Sequence, residues 1–108
     1  MSASLDPSVV ADIVRRVVEV ARPDRIILFG SAATDRMSRD SDVDLLVLEP
    51  SPPDPRRESL RIRDALLAVP YPFDVIVIST EHFEESKLVA GGIAYPAHKY
   101  GTVIYEAA

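Results

Sequence analysis

Three aspartates stand where their spacing could do chemistry. Asp42 and Asp44 lie one residue apart at the mouth of the apolar run Leu45-Leu46-Val47-Leu48, and Asp74 opens a second such run, Val75 to Ile78. Side chains alternate faces along a strand, so residues two apart project the same way. If residues 43–48 form a strand, Asp42 and Asp44 sit side by side. Two carboxylates at that separation repel, and the low dielectric beside a sheet strengthens the repulsion. A cation between them resolves the conflict.

Calcium in an EF-hand is excluded. Counting from Asp40, such a loop needs glycine at its sixth position and glutamate at its twelfth, and these positions hold Leu45 and Ser51. Upstream, Gly30-Ser31 follows the β-rich run "RIILF". Glycine there lets the backbone turn sharply, and its missing side chain lets phosphate oxygens approach backbone amides. A P-loop would continue to Gly-Lys-Ser/Thr, and no such continuation follows Gly30. Strand plus Gly-Ser, taken alone, is also an ordinary turn.

The elements that must position these residues are legible from punctuation and periodicity. Asp6-Pro7 and Asp54-Pro55 each read as N-cap followed by first helical residue. Val10, Ile13, Val14, Val17 and Val18 then recur at helical spacing until Pro23, and a second helix runs through Leu60 to Leu67 until Pro70. "RIILFG", "DVDLLVL", "YPFDVIVIS" and "GTVIYE" read as strands. "SAATDRMSRDS" reads as a brief helical turn and a loop, "EPSPPDPRR" as a loop, and "STEHFEE" as a capped helix start. "AGGIAYPAHKY" stays ambiguous, because Gly91, Gly92 and Pro96 work against a long helix. Strands alternating with helices indicate the α/β class.

Composition narrows the function. The chain has 108 residues, 47% apolar and 27% charged, which is the size and balance of one soluble globular domain. It has no cysteine, so disulfides and thiolate metal sites are excluded. No apolar run approaches membrane-spanning length, and "MSASLDPSVV" lacks a signal-peptide pattern, so the expected location is cytoplasmic. A net charge of −5 argues against direct nucleic-acid binding. Arg56, Arg57, Arg61 and Arg63 share one expected helix, read first as a solvated face. His82 and His98 have no partner at metal-ligand spacing and read as surface or interface residues. Lys99 reads as solvated, and Tyr95, Tyr100 and Tyr105 as core or interface aromatics.

A strand ending in Gly30-Ser31, a ten-residue gap, Asp42-Val43-Asp44 entering an apolar strand, and Asp74 opening another together resemble the DNA polymerase beta nucleotidyltransferase superfamily. More narrowly they resemble the minimal nucleotidyltransferases (MNT), antitoxins of HEPN toxins in prokaryotic toxin–antitoxin pairs. The match runs from Leu28 to Val47 and resumes at Asp74, and "KYGTVIYE" is similar to the family's terminal glycine-containing strand. The resemblance implies a single polymerase-beta-like α/β core over residues 1–108, with a mixed sheet flanked by helices. It implies that Gly30 and Ser31 hold the outer phosphates of ATP, with Ser41 beside them. Asp42 and Asp44 would ligate Mg²⁺, and Asp74 would share one of two metal ions and help deprotonate the attacking hydroxyl. Many relatives carry arginine and then glycine where this chain has Thr34 and Asp35, leaving Arg36 or Arg39 to supply positive charge. The implied reaction is transfer of a nucleotidyl group, AMP from ATP, to a hydroxyl of a partner protein, a HEPN toxin. The alternatives are a small-molecule acceptor of the aminoglycoside kind, and an antitoxin that neutralises by contact alone.

Overall fold

The computed structural model describes residues 5–30, 42–52 and 54–108. Both Asp-Pro signals start helices. The Asp6 side chain accepts from the Ser8 amide at 2.8 Å and opens α1 (Pro7–Ala21), which ends where Arg22 turns left-handed at φ 48°. Asp54 accepts from the Arg57 amide at 3.3 Å and opens α2 (Pro55–Ala65). The four strands are β1 (Arg25–Phe29), β2 (Val43–Glu49), β3 (Phe73–Ser79) and β4 (Thr102–Glu106). They form one mixed sheet in the order β3-β2-β1-β4, with β2 and β3 parallel and the other pairs antiparallel. A parallel pair needs a long crossover, and α2 supplies it.

Alternation along β2 divides the core. Val43, Leu45 and Val47 pack with Ile13 and Val17 of α1 and Ile62 of α2. Leu46 and Leu48 face the other way, onto Phe83 of α3 (Thr80–Ser86) and Ala94 and Ala97 of α4 (Ala94–Tyr100). β2 is therefore covered on both faces, as its continuous apolar run requires.

The ambiguous stretch resolves as a short helix. Gly91 and Gly92 adopt φ values of 103° and 72° ahead of α4 and stay outside it. Pro96 occupies the third helical position, where the missing N–H would have had no intrahelical acceptor. Gly101 ends the helix against β1: a side chain there would overlap the Ala97 carbonyl and stand 2.6 Å from Ile27 Cγ2.

One buried charge breaks the apolar pattern. Glu49 ends β2 in phase with Val47, is only 7% exposed, and its Oε2 has no hydrogen-bond partner among the described residues. Burial first, and then a hydrogen bond with Glu58, push its carboxyl up to about 7 from 4.5. Arg61, hydrogen-bonded to Glu58 at 2.9 Å, holds Glu58 below its ordinary value. Between 4.5 and about 7 the folded protein keeps a proton on Glu49 that the unfolded chain has lost. Stability therefore falls as pH rises through that window and levels off above it. Glu49→Gln should remove the slope, gaining on the order of 1–2 kcal/mol over the native chain at pH 8 relative to pH 5. Urea unfolding at the two pH values measures this, and an unchanged slope in the variant would assign the effect elsewhere.

Candidate active site at one end of the sheet

Gly30, Asp42, Asp44 and Asp74 all come from strand ends at one end of the sheet. Asp44 is the second residue of β2, and its register partners are Phe29 on β1 and Asp74 on β3. Alternation puts Asp42 and Asp44 on the side of Leu46 and Leu48, and Asp74 on the side of Ile76 and Ile78, which is the face carrying α3 and α4. Asp42 and Asp74 are exposed, whereas Asp44 is half-buried between its neighbouring strands. Asp42 stands one residue ahead of β2, Asp74 is the β3 register partner of Asp44, and the charges of both are felt at Asp44.

Gly30 completes the arrangement. It follows β1 directly with φ +70°, a conformation that favours glycine. A Cβ built there would overlap the Asp44 Oδ2 atom and lie 3.1 Å from its Cγ. The missing side chain is what lets the chain turn over the carboxylate.

Residues 9–99 match the nucleotidyltransferase domain family over most of the chain. The chain belongs to that family. No curated protein sequence matches it, but solved structures share the fold of this nucleotidyltransferase. One is a toxin–antitoxin crystallised with AMP-PNP, at 17% identity and TM-score 0.68, covering 91% of this chain and 73% of that one. A second is the toxin–antitoxin MntA-HpeT in a mutant form replacing two aspartates, two residues apart, with glutamate. It shares 15% identity at TM-score 0.67, covering 91% of this chain and 73% of that one.

The surroundings of Asp44 oppose its charge. Burial, then the Asp74 charge, then the Asp42 charge raise the Asp44 carboxyl above its ordinary value. An ion of opposite sign would reverse the two charge contributions. Among the described residues, no three His, Cys, Asp or Glu side chains form a cluster that could hold a metal ion by themselves. Carboxylates are donors that Mg²⁺ accepts, one or two at a time, alongside waters and substrate phosphates.

Ser31, Arg36 and Ser41, like Thr34, Asp35 and Arg39, lie outside the described residues. His82 and His98 are exposed, with His98 edge-on to Phe83 at 6.3 Å between ring centres. Lys99 is exposed too, its Nζ lying over the rings of Tyr95 and Tyr100 at 5.6 and 5.4 Å. The sequence reading missed Glu49 because it ended the strand at Leu48. The in-phase series Leu45, Val47, Glu49 is the signal that would have found it.

Proposed function

We propose that this nucleotidyltransferase transfers AMP from Mg²⁺-bound ATP to a hydroxyl group on a partner protein, as the antitoxin of a HEPN-type toxin in the cytoplasm. The observation that carries the reading is Asp44, half-buried at the sheet end with Gly30 turned over it, its carboxyl raised by burial first and then by the charges of Asp74 and Asp42. Asp42 and Asp44 would hold the metal and Asp74 would share it. When bound, Mg²⁺ supplies charge neutralisation and alignment for an in-line phosphoryl displacement.

The chain's own residues do the rest. Gly30 receives the phosphates, because a backbone without a side chain lets oxygens approach closely, and Ser31, Ser41 and Arg36 are the side chains assigned to them with it. Asp74, exposed at the start of edge strand β3, accepts the proton of the incoming hydroxyl. The reacting phosphorus gains a bond to the acceptor oxygen and loses its bond to pyrophosphate. The structural neighbours support the reading: one is a toxin–antitoxin with AMP-PNP, and another carries changes at aspartates with the spacing of Asp42 and Asp44.

The test incubates the chain with ATP labelled at the α-phosphate, Mg²⁺ and a HEPN-type protein encoded beside it. The expected result is label on the HEPN protein, lost with Asp74→Asn. A tight complex without label, and full neutralisation by a triple Asp42, Asp44 and Asp74 mutant, would instead mean neutralisation by contact.

A further inference from the structure

The arginines of α2 are arranged with more purpose than a solvated face needs. Arg56, Leu60, Arg63 and Leu67 recur at spacings of four, three and four, so they form one stripe along α2 and the turn after it. Leu60 is 58% exposed and Leu67 81% exposed. Among the described residues, Arg56 and Arg63 make no ion pair, in contrast to Arg61, which is bound to Glu58. The stripe therefore alternates two exposed leucines with two arginines that pair with no acid among the described residues.

The stripe borders a groove. β3 is an edge strand, hydrogen-bonded to β2 alone within the sheet, and Ser59 Oγ of α2 donates to its Val75 carbonyl at 2.5 Å. On one side of that contact a hollow of about 320 Å³ lies between Arg56 and Val75 to Val77. On the other, a hollow of about 350 Å³ is lined by Leu60, Arg63, Leu67, Tyr71 and Phe73, with the acidic Asp64 beside Arg63. Both are lined by residues of α2 and β3, and Phe73 at the second is the chain neighbour of Asp74.

We propose that this α2–β3 groove docks an extended segment of a partner protein in which acidic and apolar residues alternate. Carboxylates of the segment meet Arg56 and Arg63, and its apolar side chains cover Leu60 and Leu67. Charge selects this occupant. The chain as a whole carries −5, yet α2 holds four arginines against two acids, so its field attracts an acidic ligand locally. A symmetric second copy would set the same basic stripe against itself. A nucleic acid would leave the leucines uncovered and meet the overall negative charge. The inference goes beyond the transfer reaction and needs no turnover to be tested.

The probe is a fluorescein-labelled ten-residue peptide alternating glutamate and valine, with a lysine–valine counterpart, titrated into the full chain by fluorescence anisotropy. The glutamate peptide should bind in the range of about 10–100 μM and weaken as salt rises, while the lysine peptide does not bind. Arg56→Glu with Arg63→Glu should reverse the preference. Leu60→Ser with Leu67→Ser should weaken binding roughly tenfold at an unchanged melting temperature, since both leucines are exposed. Amide shifts in the native chain should move at Val75 to Val77. The proposal is overturned by equal binding of both peptides, by an unreversed preference in the double-glutamate variant, or by no glutamate-peptide binding at about 1 mM. Displacement of the glutamate peptide by a single-stranded oligonucleotide would overturn it in favour of a nucleic-acid face.

Discussion

Asp44→Asn is expected to lower nucleotidyl transfer by on the order of 10³-fold or more while making the metal-free protein more stable. The two effects share one cause. Asp44 is half-buried, and burial, Asp74 and Asp42 all oppose its charge. Replacing the carboxylate with an amide of the same shape removes that repulsion and also removes the central proposed metal ligand. A thermal melt without metal should rise, and labelled transfer should vanish. A variant that melts higher but still transfers at the native rate would strip Asp44 of its role. Asp42→Asn should weaken transfer in the same way, with a smaller stability gain because Asp42 is exposed.

The second large effect is expected at Gly30. Gly30→Ala puts a Cβ into the Asp44 carboxylate at a backbone angle of φ +70° that L side chains rarely adopt. Strain of this kind costs about 1–3 kcal/mol, and relief requires Asp44 to move. The variant should therefore lose both stability and affinity for MgATP, in contrast to Asp44→Asn. Combining the two changes should be close to additive, because the amide has the carboxylate's shape and meets the new Cβ in the same way. Denaturant unfolding of the single and double variants measures the coupling. Unchanged nucleotide affinity in a folded Gly30→Ala protein would remove the phosphate-cradle role.

Much of this architecture was legible from short-range signals. Two Asp-Pro caps, apolar periodicity and proline stops located α1, α2 and all four strands, because each signal acts within one turn or one strand. The Asp42–Asp44 pairing followed from strand alternation alone. What sequence could not supply was register. That Asp74 stands directly beside Asp44 depends on how β3 pairs with β2, a long-range fact that no local pattern encodes. Helix α4 was obscured by Pro96, whose cost disappears at a third helical position. Glu49 and Glu58 are nine residues apart and meet only because α2 folds back along the sheet, so their interaction was invisible. The Arg56–Leu60–Arg63–Leu67 stripe was half visible: the helix was expected, but its place beside an open strand edge was not.

Isothermal titration of ATP into the native chain, with and without Mg²⁺, tests the central claim most directly. The account predicts saturable binding that requires Mg²⁺, is abolished by Asp44→Asn in a folded protein, and is weakened by Gly30→Ala. Binding of equal strength without Mg²⁺, or undiminished binding of MgATP by Asp44→Asn, would contradict it.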